Sequence, residues 1–206
     1  CKRYLADEYR KLLDLVIDEL ALDPQGRILE IGPGPGWIGI GLAQRLPGAQ
    51  VVGLELSADM RRVAEQNCLR EGVANFELVA GDAAAMPFED HRFDGVISNG
   101  SLHHWLHPTA TFNEVARVLK PNGGFVISDG RRDLGLGAQA VFQLLSSLAL
   151  LDPSVPGRQM RQGWRTSIAA GYTPAELRAM LDASRLSGAV LRQGLFEPTA
   201  HSPRAS

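Results

Sequence analysis

The chain has 206 residues, of which 45% are hydrophobic and 21% charged, and its formal net charge is −2. That size and balance fit one globular domain with a sizeable core. They exclude a charge-driven binder of nucleic acid or membrane surfaces, and no apolar run nears the roughly 20 residues that span a bilayer. Two cysteines make no disulfide framework, so a reduced, cytoplasmic setting is expected. The chain begins at Cys1 rather than Met, and natural residues are expected to precede it.

In chain order, apolar residues recur at helical spacing at Leu5, Tyr9, Leu12, Leu13, Val16, Ile17 and Leu20, which predicts an N-terminal helix within 1–22. Asp23-Pro24-Gln25-Gly26 ends it, and Ile28–Ile31 reads as a short buried strand. Gly32, Gly34 and Gly36 break that strand. Ile38, Ile40, Leu42, Ala43 and Leu46 then mark a helix. A second strand spans Gln50–Glu55. Ser57 or Asp59 caps the next helix, whose predicted core face is Met60, Val63, Ala64, Asn67 and Cys68. Phe76–Ala80 and Phe93–Ser98 are further strands, with Gly81-Asp82 and a loop holding Pro87 between them. Pro108 opens a helix bearing Phe112, Val115, Ala116 and Leu119. Lys120-Pro121-Asn122-Gly123-Gly124 is expected to end it before a fifth strand, Phe125–Asp129.

Strands alternating with helices predict a Rossmann-like α/β fold, a doubly wound sheet that is mostly parallel with an antiparallel edge strand. Ligands of such sheets lie outside the carboxyl ends of the strands, where Gly32, Glu55, Asp82, Asn99 and Asp129 fall. Residues 134–187 differ in character and are expected to form a helical segment covering a substrate. Within them Ala138–Leu151 is apolar on most sides, and Arg158, Arg161, Trp164 and Arg165 lie in a loop-like stretch. Thr173-Pro174-Ala175-Glu176 has the pattern of a capped helix start. Ala189–Phe196 is the last predicted strand, and the polar tail beyond Pro198 is expected to fray.

The glycine loop narrows the ligand. A dinucleotide fingerprint places its third glycine where Trp37 stands, to let helix and strand pack closely. Here that glycine comes one residue early, at Gly36, and Trp37 is expected to hold the helix away from the strand. Glu30 opposes a pyrophosphate and suits a cationic ligand, an ammonium or a sulfonium. Glu55, at the end of the second strand, suits the hydroxyls of a ribose.

These residues resemble the class I S-adenosylmethionine-dependent methyltransferases, in particular the small-molecule branch that includes quinone-biosynthesis C-methyltransferases. Glu30–Gly36 is similar to the first motif of that family, and Val51–Leu56 to the second. Gly81-Asp82-Ala83 with Met86-Pro87-Phe88 is similar to the third. Phe93–Ser98 with Leu102-His103-His104 is similar to the fourth, and Arg117–Gly124 to the signature before strand five. The resemblance runs from about Leu5 to Phe196 and implies one methyltransferase domain over 1–206. It further implies S-adenosyl-L-methionine as cofactor, a small-molecule acceptor, no nucleic-acid or membrane partner, and a monomer or homodimer. The family's sheet ends in an antiparallel hairpin of two strands, so one strand is expected to be absent here or cut short.

The residues that the resemblance assigns to the cofactor are Glu30, Gly32, Pro33, Gly34, Gly36, Glu55, Leu56, Asp82, Ala83, Asn99 and Gly100. Glu55 would hold the ribose and Asp82 the adenine amino group, with Glu30 near the amino-acid end. His104, and next to it His103, are the catalytic candidates, because they follow strand four and a neutral imidazole can take a proton near neutral pH. No metal site is expected. His103, His104 and His107 lack a completing carboxylate, and Asn99 stands where a metal-dependent relative would place an Asp beside Asp129 and Asp133. A nicotinamide-dependent oxidoreductase and a catalytically silent cofactor-binding protein are the competing readings.

Overall fold

The computed structural model describes residues 22–134, 166–193 and 198–202, together with Leu13, Asp14, Val16, Ile17 and Leu20. Five strands and three helices alternate first. They are β1 (Arg27–Ile31), α1 (Trp37–Arg45), β2 (Gln50–Glu55), α2 (Ala58–Glu71), β3 (Phe76–Ala80), β4 (Phe93–Asn99), α3 (Pro108–Val118) and β5 (Leu119–Ser128). A single 3₁₀ turn, Leu102–His104, stands between β4 and α3. Then come α4 (Pro174–Asp182), β6 (Val190–Gln193) and β7 (Pro198–His201). The sheet order is β3-β2-β1-β4-β5-β7-β6. β1 pairs parallel with both β2 and β4, so the winding reverses beside it and opens a crevice at its carboxyl end.

Parallel strands covered on both faces must be apolar throughout, and β1 alternates between two core clusters accordingly. Ile28 belongs to the cluster under α1 and the N-terminal helical residues Leu13 and Val16. Leu29 and Ile31 belong to the cluster under α3 and α4, with Phe93, Phe112 and Leu177. Period two therefore sends the Glu30 side chain toward α1, the same face as Ile28. α4 starts on a complete capping box, Thr173 accepting from the Glu176 N–H while Glu176 accepts from the Thr173 N–H.

Four expectations need correction. Residues 198–201 of the polar tail do not fray: they form β7, which inserts between β5 and β6, antiparallel to both, with Ala200 and His201 buried. The hairpin is therefore present, with the proline at the first position of its strand, where proline is tolerated. β5 begins at Leu119, so Lys120–Gly124 runs within the strand, past a register shift between Phe93 and Gly95. Met60 and Val63 are not core. They are 39% and 38% exposed, because α2 packs only through Ala64, Asn67 and Cys68. Trp37 is half-buried and packs against the cluster under α1. Close approach is made at Gly39, where a Cβ would lie 2.3 Å from Phe76 Cζ and 2.6 Å from Glu30 Oε2. The expected Ala138–Leu151 helix and Arg158, Arg161, Trp164 and Arg165 lie outside the described residues.

Candidate active site at the carboxyl edge of the sheet

The three loop glycines all adopt left-handed backbone, with φ of 65° at Gly32, 52° at Gly34 and 82° at Gly36. That conformation costs any other residue about 1–2 kcal/mol. Their surroundings separate their tasks. A Cβ on Gly32 would strike Ser101 Cβ at 2.5 Å, and one on Gly36 would press on Ala64 and Phe76 at 3.1 and 3.2 Å. A Cβ on Gly34 meets nothing within 4 Å among the described residues. Gly32 and Gly36 thus serve packing, whereas Gly34 faces open space. Pro33 between them is buried.

Glu55 ends β2 and holds this loop in shape. Its Oε2 accepts from the Gly34 N–H at 3.1 Å, and its Oε1 accepts from the Ser57 N–H at 2.9 Å. One carboxylate thereby ties the glycine loop to the turn that starts α2, beside the exposed side chain of Leu56. Arg61 donates to the carbonyls of Glu55 and Leu56 at 2.8 and 3.0 Å, and Asn67 Nδ2 donates to the Pro35 carbonyl at 2.8 Å. The sequence pattern places Asn67 on the core face of this helix without a role in the loop, and it does not single out Arg61; a polar side chain on the face turned to the sheet is the available signal for Asn67.

Glu30 turns away from the crevice. Its carboxyl accepts from the Gly39 N–H in the first turn of α1, a turn whose N-cap residue, Gly36, supplies no side chain. It thus substitutes for the missing cap from below. The residue is 3% exposed and its Oε2 has no partner. Burial, with a smaller contribution from the Glu55 charge, pushes its carboxyl from 4.5 up to about 8.

Asp82 follows β3 and is exposed. Its Oδ1 accepts from the Ala84 N–H at 2.9 Å, forming an Asx turn, and Ala83 packs partly on the core. The following loop is clamped to α3. Glu114 accepts from the Met86 N–H at 2.7 Å, and Arg117 donates to the carbonyls of Met86 and Phe88 at 3.1 and 2.7 Å. The Glu114 and Asp90 carboxylates beside Arg117 hold its guanidinium charge, and in return both carboxyls sit below the usual range.

At the end of β4, Asn99 pairs with Ser128, and the Gly100 N–H donates to the Ser128 carbonyl at 2.9 Å. Gly100 is exposed, with φ of 67° and nothing within 4 Å of its Cβ position among the described residues. Beneath them Ser98 and Ser101 are buried, with 2.7 Å between hydroxyls, and both donate to the Ile31 carbonyl at 3.1 Å. Trp105 Nε1 donates to Ser101 Oγ at 3.2 Å, closing a polar knot under the glycine loop.

The two histidines part company in the 3₁₀ turn. His103 Nδ1 lies 2.9 and 3.0 Å from the two oxygens of Asp129, and its backbone N–H donates to Asp129 Oδ2 at 2.7 Å. Both side chains are 3% exposed. His104 is exposed and stacks on the His103 ring at 4.0 Å. Partial burial and the neighbouring His103 push its imidazole below 6.5. Asp133 is engaged instead by Arg131 at 2.7 Å.

Residues 29–127 match the family described as a methyltransferase domain. That segment, just under half of the chain, is similar to a methyltransferase domain. A fatty-acid O-methyltransferase of Mycolicibacterium smegmatis is 33% identical over 158 residues, 74% of this chain and 57% of that protein. A ubiquinone/menaquinone biosynthesis C-methyltransferase of Ruegeria sp. is 29% identical over 65% of this chain and 54% of its own length. Among solved structures, one from Methanococcus maripaludis assigned to the S-adenosylmethionine-dependent methyltransferases superposes with a TM-score of 0.75 at 21% identity. It covers 100% of this chain and 89% of that one. The chain spans about half the length of the curated relatives it matches. Among the described residues no helix is long and apolar enough to cross a membrane.

Proposed function

We propose that the chain binds S-adenosylmethionine in the crevice beside β1 and transfers its methyl group to a small molecule. The observation that carries this reading is the Glu55 carboxylate, already bonded to the Gly34 N–H, beside a glycine whose Cβ position is open. A cradle of this kind lets the rim of a nucleoside lie on bare backbone while the remaining acceptor capacity of the carboxylate meets the ribose hydroxyls. The residues fit the cofactor. Glu55 would hold the ribose, with Leu56 against the adenine and Asp82 and Ala83 at its amino edge. Gly32, Pro33, Gly34 and Gly36 would shape the loop, and Asn99 and Gly100 would border the amino-acid end. Glu30 would support the loop from beneath α1 rather than touch the ligand. His103 and His104 would stand on the acceptor side, after β4.

When bound, the cofactor supplies an activated carbon, so the work of the chain is to orient, to exclude water and to handle a proton. The placement of Glu30 also argues against a nicotinamide dinucleotide. Its buried carboxyl occupies a first-turn backbone donor of α1 that a pyrophosphate would need. A cytoplasmic setting fits this donor and the free, buried Cys68. Calorimetric titration tests the reading: S-adenosylhomocysteine is expected to bind and NADH is not. Tight binding of NADH alone would overturn it.

A further inference from the structure

The crevice opens where β1 and β4 part, and the two flanks of β1 are held there by different means. Toward β2 the ladder runs on: Ile31 pairs with Leu54, and the Gly32 N–H donates to the Leu54 carbonyl at 2.9 Å. Toward β4 the paired residues end one step earlier, at Glu30 and Ile97. The last carbonyl of β1, that of Ile31, is met on this side by the hydroxyls of Ser98 and Ser101, at 3.1 Å each. Both serines are buried, and their hydroxyls lie 2.7 Å apart. Burial asks for only one donor on that carbonyl, and a second hydroxyl in an apolar interior is a cost unless it too is bonded. Space for it is made at Gly32, where a Cβ would overlap Ser101. Ser101 is also the foot of the turn that carries the histidines. The His104 N–H donates to its carbonyl at 2.9 Å and the Trp105 indole to its hydroxyl at 3.2 Å, so residues 102–104 are bracketed. Trp105 in turn meets Phe112 of α3 edge to face, with 5.7 Å between ring centroids.

Resting on the methyltransferase reading above, we propose that Ser98 and Ser101 are positioning residues, whose hydroxyl bridge fixes the width of the crevice between the donor loop after β1 and the acceptor-side turn after β4. Buried beneath the loop, they act through the Ile31 carbonyl and Trp105 rather than on a ligand. Width matters because methyl transfer asks for reacting atoms aligned at about 3–3.5 Å, and a misplacement of about 1 Å costs about 10²-fold in rate. The contacts proposed to hold the donor lie elsewhere, on Glu55 and Gly34, which keep their own bond at 3.1 Å. Removing a serine hydroxyl therefore leaves cofactor affinity in place and shifts the methyl group relative to the turn.

The methyl carbon itself reads this, whatever the acceptor. S-adenosylmethionine labelled with carbon-13 in its methyl group is added to saturation, and the bound methyl signal is recorded by NMR in the wild type and in variants. The wild type is expected to give a single narrow signal. Ser101→Ala is expected to keep the wild-type Kd for S-adenosylmethionine and to displace or broaden that signal by more than its wild-type line width. Ser98→Ala leaves the Ser101 bonds to Ile31 and Trp105 in place. It should move the signal less, and it carries the test alone if Ser101→Ala does not fold. Arg117→Met loosens residues 86–90, away from the bridge, and should lose stability in urea while the methyl signal stays in place. A signal in the serine variants that coincides with the wild type, or one that Arg117→Met moves as far, would overturn the proposal. So would loss of S-adenosylmethionine binding in Ser98→Ala, which would make the bridge part of the donor site. Failure of the wild type to bind S-adenosylmethionine would instead overturn the methyltransferase reading beneath it.

Discussion

Alanine at Gly32 and at Gly34 makes the same chemical change two residues apart, yet the structure assigns the two variants different consequences. Both pay the left-handed backbone cost, about 1–2 kcal/mol. Gly34→Ala pays little else, since nothing lies within 4 Å of the new methyl among the described residues. Gly32→Ala drives its methyl to 2.5 Å from Ser101 Cβ and 2.7 Å from Ser101 Oγ. Ser101 must then move, weakening its bonds to the Ile31 carbonyl, Ser98 and the Trp105 indole. With overpacking of about 1–3 kcal/mol and about 1 kcal/mol for each of the three weakened bonds, the total for Gly32→Ala reaches about 5–8 kcal/mol. Urea unfolding is the assay for stability, and S-adenosylhomocysteine calorimetry the assay for the site. Gly32→Ala is expected to be the less stable protein, and Gly34→Ala the weaker binder, because its methyl fills the space the ligand needs. A double-mutant cycle with Ser101→Gly should recover the steric part in the Gly32 background. Equal destabilisation by the two alanines, or no coupling to position 101, would refute the division of tasks between these glycines.

Other consequences are open to measurement. Glu55→Ala removes a charged hydrogen-bond partner of the glycine loop and should weaken S-adenosylhomocysteine binding by about 2–3 kcal/mol; an unchanged Kd would place the ribose elsewhere. Glu30, with its carboxyl raised from 4.5 to about 8, binds its proton more tightly folded than unfolded, so its contribution to stability is complete below about 4.5 and is lost as pH rises through about 8. Glu30→Gln, which cannot ionise, should therefore show a flatter stability profile across that window in urea titrations, and identical profiles would contradict a neutral Glu30. Arg117→Met should release residues 86–90 from α3, costing about 2 kcal/mol and speeding amide hydrogen exchange in that loop, including at the Met86 N–H that Glu114 now holds.

The parallel half of the fold was legible because it is written in contiguous runs. Ile28–Ile31, Val51–Leu54 and Val96–Ile97 are apolar on both faces, and glycine, proline or acidic residues close each run. β7 was not legible for the same reason: Pro198, Thr199 and His201 read as a tail, and only its place between two other strands makes that strip a buried one. The loop glycines were visible, but their different neighbours were not, since Ser101 and Ala64 meet them only in three dimensions. The histidine pair was visible as a pair. Which member is anchored depends on Asp129, 26 residues away and brought alongside by the parallel pairing of β4 and β5.

The insertion of β7 sets the order in which this molecule can be finished during synthesis. β5 is complete at Ser128, but its outer edge acquires a neighbour only when residues 198–201 leave the ribosome, and β6, made earlier, can join the sheet only through β7. Until then the nascent chain carries an unpaired, largely apolar edge, Phe125-Val126-Ile127, of the kind that recruits other chains. Of the described strands β7 is made last, and by covering the β5 edge this short polar strip guards against aggregation as well as joining β6 to the sheet.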